Sequence, residues 1–443
     1  MPDGLDRSQD FFAALDMRRA GILDACTKCG ECVRVCPMPG PAGLDVSDAE
    51  AVASGVIDLI RTGEGPDAAR RWAEICTGSG HCIPACEYGV NPRFMLALAR
   101  IADLRAARPA DDLRTGGGKQ FGAMSRGVRT LSRLQLPPDL LARLGQIGAL
   151  AAEPENPDTI FYTGCNVLKT PHIALLCLDT MDALGVEYVV RGGPSHCCGV
   201  YQFRSGDLEK FADLSGRTID RFAESGVDEV LSWCPSCQVH LGEAALETRE
   251  AAGDSPFRLT PFVIWLESRL DDLRPLMTRR VEKRVGLHEH PGVAGIAEAA
   301  ETILRAIPGL DFVDLAQPRV GYMCNTLSVL PDYKRDVHAE QLAAAKAAGV
   351  DALAGIYHAC HRELCTHERD WPFEVVNFME LIGESMGLAR PDLFKRLKIM
   401  QDADAILADS ADMIAEYGLD PERVREIVVG AMLAEQPLPL GRS

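Results

Sequence analysis

Residues 26 to 37 read CTKCGECVRVCP, and no other stretch limits the fold of this chain so sharply. Its cysteines, Cys26, Cys29, Cys32 and Cys36, stand at C-x2-C-x2-C-x3-C-P spacing. In such a run the first three thiolates take three irons of a [4Fe-4S] cube. The fourth, across the proline turn, reaches the other cluster of a two-cluster ferredoxin-like fold. A zinc site built from two C-x2-C pairs leaves the third cysteine and the x3-C-P step without a role.

A second run, CTGSGHCIPACEYGV at 76 to 90, repeats this plan with Ser79 where its second cysteine belongs. With ligands crossing between the runs, Cys86 completes the cube of Cys26, Cys29 and Cys32. Cys36, Cys76 and Cys82 then hold a second centre with Ser79 at the vacant corner. Three thiolates suit a [3Fe-4S] cluster, or a [4Fe-4S] cube whose fourth iron takes an oxygen or nitrogen, with Ser79 or His81 the nearest donors. Iron in these clusters prefers soft thiolate, so the oxygen ligand is the weaker one. The second x3-C spacing and the YGVNP flank are intact, which argues for a tuned or open iron site over a decayed relic.

The 443 residues contain sixteen cysteines, nearly all in short-range clusters. A reducing cytosol keeps thiols free, so clustered cysteines there bind metal rather than each other. Cytoplasmic placement is the expectation, because MPDGLDRSQDFF carries acids where a signal peptide has a basic and then apolar run. No stretch approaches the roughly 18–20 apolar residues of a membrane span. A net charge of -18 argues against nucleic acid as a partner, since phosphate binding needs basic surface.

Residues 104–157 hold no cysteine and contain TGGGK, LPPD and AAEPENPD, each a loop or turn signal. The segment is rich in arginine and reads as a solvated helix with hinges. From 158 onward, strand-like runs (TIFYTG, VEYVV, VDEVLSW) alternate with helical ones, the pattern of an α/β domain with a largely parallel sheet. Cys165, Cys197, Cys198, Cys234 and Cys237 all fall in strand-end loops, where such sheets bind ligands, so they should converge. The pattern recurs at an offset of 126, which lays Cys198 on Cys324 and Cys234 on Cys360. The same shift lays Cys165 on Pro291, Cys197 on Met323 and Cys237 on Glu363. One constant shift through three separate loops indicates an internal duplication.

The expected architecture is α+β and multidomain. A helical two-cluster ferredoxin-like module (1–103) and a linker (104–157) precede two duplicated α/β domains. The first (158–283) has the intact motif and the second (284–380) a degenerate one; a helical tail (381–443) carries no motif. Two thiolates cannot hold what five can, so the second copy reads as a structural lid. His288, His290, His358, His361, Cys365 and His367 are nevertheless close enough in sequence to build a mixed-ligand zinc or iron site. Cys177, in an apolar helical run, reads as core.

The arrangement of Cys165, Cys197-Cys198-Gly199 and Cys234-Pro-Ser-Cys237 resembles the CCG (cysteine-rich) domain of heterodisulfide reductase subunits. The whole layout is similar to fused subunits of that enzyme. It is also similar to DsrK-like subunits and to the iron-sulfur subunits of glycolate and glycerol-3-phosphate dehydrogenases. The resemblance implies that these five cysteines carry a noncubane [4Fe-4S] cluster, or zinc, and that the cluster acts on a disulfide or related sulfur substrate. It implies an oxidoreductase subunit, with electrons passing between the ferredoxin-type clusters and the CCG site. The chain has no Gly-rich dinucleotide fingerprint after a strand, so a flavoprotein or a membrane quinone-linked subunit is the expected partner. A relay subunit of a flavin-dependent 2-hydroxy acid or glycerol-3-phosphate dehydrogenase is the alternative. A non-catalytic iron-sulfur or zinc-binding sensor or adaptor is a third, since fold alone does not fix function.

Overall fold

The computed structural model describes residues 4–146 and 154–435. Residues 1–3, 147–153 of the expected linker and 436–443 of the tail lie outside it. Two four-stranded sheets, each wholly parallel, form the scaffold. The first contains β1 (Thr159–Gly164), β2 (Tyr188–Gly192), β3 (Glu229–Ser232) and β4 (Arg258–Pro261), in the order β2-β1-β3-β4. The second contains β5 (Arg284–His288), β6 (Asp311–Val313), β7 (Ala352–Gly355) and β8 (Glu374–Asn377), in the order β6-β5-β7-β8. The two orders are the same, strand for strand.

Parallel strands need long crossovers, and the helices that make them cover both faces of each sheet. All six residues of β1 are buried, and their alternation explains how the first sheet becomes a middle layer. Ile160, Tyr162, Val189 and Val230 face a core shared with Val56 and Phe94 of the N-terminal helices. Phe161, Val190 and Leu231 point the other way, into a core shared with Leu287 and Leu353 of the second sheet. Burying each large apolar side chain contributes about 1.5–3 kcal/mol. The first sheet is thereby clamped from both sides.

The N-terminal segment is helical. Helix Ala49–Thr62 begins where the Asp48 side chain accepts from the Ala51 amide and ends at Gly63, whose φ of 78° is left-handed. Helix Pro92–Ala107 starts with Asn91 capping the Phe94 amide and Pro92 in its first turn. The cysteine runs lie in the segments before these two helices, with Cys32 in the short helix Glu31–Arg34.

The TGGGK loop signal fails. Residues 115–119 lie inside a continuous helix, Ala110–Arg133. Glycine weakens an isolated helix, but packing overrides propensity here. A Cβ on Gly117 would stand 2.6 Å from Ser205 Oγ, so the glycine lets this helix approach helix Val200–Ser205 closely. Arg114, Lys119, Arg126 and Arg129 lie on its exposed side, a solvated face as the charge pattern indicates. The tail is helical from Leu393 to Val428 in four pieces, and the boundary expected after residue 380 falls within helix Phe378–Met386. Among the described residues no helix is long and apolar enough to cross a membrane.

Candidate functional site

The two N-terminal runs form two separate thiol groups. Cys26, Cys29, Cys32 and Cys86 line one small cavity. Cys82 lies within electrostatic reach of Cys36 and Cys76. Burial pushes the Cys32 thiol up to about 12, with Cys26 and Cys29 adding to the shift; burial and neighbouring thiols push Cys82 up as well. Thiols gathered this closely ionise together only around a cation, which is the donor set an iron-sulfur centre requires. The indole N–H of Trp72, without another partner, lies by the Cys36 thiol.

The loops of the two runs share a backbone plan. Lys28 and Gly30 flank Cys29 at φ of 62° and 78°, and Gly78 and Gly80 flank Ser79 at 74° and 79°. Their surroundings differ. Cys29 is exposed, whereas Ser79 is buried. The Ser79 loop is docked on the second sheet's loops. Arg93 donates to the carbonyls of Gly78 and Gly292, and the Tyr322 ring packs on Gly78. His81 donates from Nε2 to the Arg319 carbonyl at 3.0 Å, so that nitrogen is occupied. Ser79 is thus shielded from solvent.

The carboxyl ends of β1 and β3 point the same way because the strands are parallel, and the loops beyond them collect the next group. Cys165, Cys197, Cys198, Cys234 and Cys237 line one cavity of about 70 Å³. Gly164, at φ 69°, makes this approach possible: a Cβ there would lie 2.9 Å from Cys234 Cβ and 3.1 Å from Cys237 Sγ. The Gly199 amide donates to Cys197 Sγ at 3.3 Å. Hydrogen bonds from neighbouring thiols hold Cys197 and Cys234 well below the usual thiol value, and the same contacts push Cys165, Cys198 and Cys237 above it. Like charges in one dry cavity cannot all ionise without a cation among them.

The far wall of this cavity comes from the second sheet's loops: Met323, Asn325, His358 and Arg362. His358 contacts Cys234, so it belongs to the first site and not to a second-copy site of its own. Arg204 lines this cavity and also the one beside Cys76, Arg100 and Tyr322, and it donates to the Tyr322 hydroxyl. Arg204 therefore lies between Cys76 and the five-cysteine cavity, with Tyr322 beside it on the Cys76 side. Neither stands out in the sequence. The signal available was position: VYQFR directly follows the Cys-Cys-Gly turn.

At the carboxyl end of the second sheet, His288, His290, Cys324 and Cys360 converge, all buried. Glu363, in the place of Cys237, pairs with Lys334 at 2.6 Å. His361 pairs with Asp392 of the tail at 2.6 Å. Cys365 and His367 are buried near Lys398, away from this group. Cys177 is fully buried in the core.

Known proteins are similar to this chain over part or most of its length. Residues 159–242 match the family model of the cysteine-rich domain, CCG. The chain is 22% identical over 399 residues to one of the subunits of dihydromethanophenazine:CoB--CoM heterodisulfide reductase from Methanosarcina mazei, covering 83% of this chain and 94% of that one. It is 25% identical over 392 residues to one of the subunits of the fumarate reductase (CoM/CoB) from Methanothermobacter marburgensis, covering 81% of this chain and 72% of the relative. An uncharacterized iron-sulfur protein of Methanocaldococcus jannaschii is 23% identical over 353 residues, or 76% of this chain and 66% of the relative.

Proposed function

From a chain that carries a CCG cysteine-rich domain and aligns along most of its length with subunits of heterodisulfide and CoM/CoB fumarate reductases, we propose an iron-sulfur electron-transfer and catalytic subunit of a heterodisulfide-reductase-like oxidoreductase complex. The observation that carries this reading is the convergence of five cysteines from three loops on one cavity. Five soft donors exceed what a single tetrahedral ion takes, so they fit a cluster of several irons, a noncubane [4Fe-4S] centre, better than zinc. Such a group, when bound, supplies single electrons to a sulfur–sulfur bond. His358, against Cys234, would hold a proton at that edge for a departing thiolate. Arg204 and Arg362 would orient an anionic substrate, and Met124 and Tyr201 would limit water.

Cys26, Cys29, Cys32 and Cys86 would hold a [4Fe-4S] cube. Cys36, Cys76 and Cys82 would hold a [3Fe-4S] cluster, or a [4Fe-4S] one with buried Ser79 at its fourth corner. The organisation proposed is a ferredoxin-like module (1–103), a helical connector (104–157), two duplicated CCG-type domains (158–283 and 284–380) and a tail (381–443). The common strand order of the two sheets supports the duplication. The partner would be a flavoprotein or a membrane quinone-linked subunit, with the chain itself in the cytoplasm.

A second reading, a relay for a flavin-dependent 2-hydroxy acid or glycerol-3-phosphate dehydrogenase, is favoured by one observation. The cavity of about 70 Å³ is small beside the roughly 300–1,000 Å³ of ordinary substrate pockets. Anaerobic iron and sulfide analysis with EPR separates the readings. Oxidation in the presence of a thiol substrate should give a radical-type signal from the CCG site if it is catalytic. At full iron loading, absence of that signal, with reduction of the chain by a hydroxy acid through a flavoprotein, would establish the relay instead.

A further inference from the structure

We propose that His288, His290, Cys324 and Cys360 bind a single zinc ion that fixes the wall of the five-cysteine cavity. The four ligand atoms lie within 4.8 Å of one another, and each residue is at most 3% exposed. His288 Nε2 stands 3.1 Å from Cys324 Sγ, and His290 Nε2 3.6 Å from the same sulfur. Zn–S of about 2.3 Å and Zn–N of about 2.0–2.1 Å give tetrahedral edges of roughly 3.3–3.8 Å, so these contacts are near the edges of one coordination sphere. A two-iron centre with the same ligands puts thiolates on one iron and imidazoles on the other. Direct sulfur–imidazole contact therefore favours one ion over two.

Two further observations point to a ligand. His290 Nδ1–H donates to the Val320 carbonyl at 2.7 Å, which fixes the tautomer and turns the Nε2 lone pair toward Cys324. His288 turns its Nε2 to Cys324 Sγ at 3.1 Å and also contacts the Cys360 thiol, so both imidazoles face the same pair of buried sulfurs. A polar cluster this dry is costly unless something bonds it. Two thiolates cancel the charge of a divalent ion, and a neutral complex suits a core site. The other buried group of comparable composition, His172, His361, Glu380 and Asp392, does not qualify. Its carboxylates are already committed: Asp392 caps the Lys395 amide at 2.9 Å, and Glu380 accepts from the Asn377 amide at 2.7 Å.

The placement has a consequence for the first site. Cys360 lies on helix His358–Leu364, the helix that presents His358 and Arg362 to the five-cysteine cavity. The ion would hold that helix, and it would do so whether or not the first site is catalytic.

The test uses the full chain, purified anaerobically with iron and zinc both supplied. Metal analysis should find one zinc per chain beside the iron, and zinc X-ray absorption should show two sulfur and two nitrogen neighbours. Cys198→Ala should leave that zinc in place, and His290→Ala should remove it while keeping the iron and altering the EPR line shape of the first site. A four-sulfur zinc shell, a chain with full iron and no zinc, or a Cys324–Cys360 disulfide in mass spectra would each overturn the proposal. Because the absorption measurement is made on the unaltered protein, a variant that fails to fold does not remove the test.

Discussion

In the first sheet, the loops after β1 and β3 bring Cys165, Cys234 and Cys237 to one cavity. In the second, loops at the corresponding strand ends bring His288, Cys360 and Glu363 together around Cys324. The strand order is the same, a strand-ending glycine stands beside a cysteine in each, and the chemistry diverges. Five thiols face one another in the first site. In the second there are two thiols, two imidazoles stand nearby, and Lys334 pairs with the Glu363 carboxylate. A parallel sheet decides where ligands gather; the donor count decides what they can hold.

The sharpest way to break this comparison is Cys198→Ala. It should abolish the EPR signal of the first site while the N-terminal cluster signals persist. Loss of all iron would mean that the sites are not separate.

Asp392→Asn tests the polar support beneath the second sheet. Burial alone would raise this carboxyl, but His172 and His361 outweigh it and hold the group well below the usual carboxylate range. A depressed folded value contributes stability that is fully present above the unfolded value of about 3.9 and is lost as pH falls toward the folded one. The substitution should cost about 3–5 kcal/mol near neutrality, since it strands buried histidines. Thermal unfolding against pH should show a shallower acid limb than the parent.

Gly164→Ala, at the end of β1, and Gly355→Ala, at the end of β7, sharpen the comparison at two central strands that are not counterparts in the sheet orders. At Gly164 the added carbon meets Cys234 at 2.9 Å with φ at 69°, and a cost of about 1–3 kcal/mol with a perturbed first-site spectrum is expected. At Gly355 the nearest atom, Cys360 Cβ, is 3.9 Å away and φ is not left-handed, so the change should stay within about 0.5 kcal/mol. Denaturant midpoints on the two variants read both. Equal effects would show that the close approach of Gly164 to Cys234 carries no cost of its own.

Much of this was legible in the cysteines. Spacings inside one loop fix which sulfurs are neighbours, so the groups Cys26–Cys29–Cys32 and Cys234–Cys237 needed no tertiary information. Strand-end position also indicated that Cys165, Cys197 and Cys198 would join them. The misreading of TGGGK came from the opposite situation: Gly117 answers to a partner helix far along the chain, and local propensity carries no trace of it.

By itself the sequence determined the short-range cysteine groups and the strand–helix alternation that builds two parallel sheets. Those depend on residue type and short separations, and a chain's covalent order sets both. Only the tertiary structure decided that His358 contacts Cys234, that Ser79 is buried in a loop packed on Tyr322, and that Arg204 lines both the five-cysteine cavity and the one beside Cys76. Each depends on how two sheets and a helical segment face one another. That geometry is set by packing of apolar faces shared across hundreds of residues, and no local pattern records it.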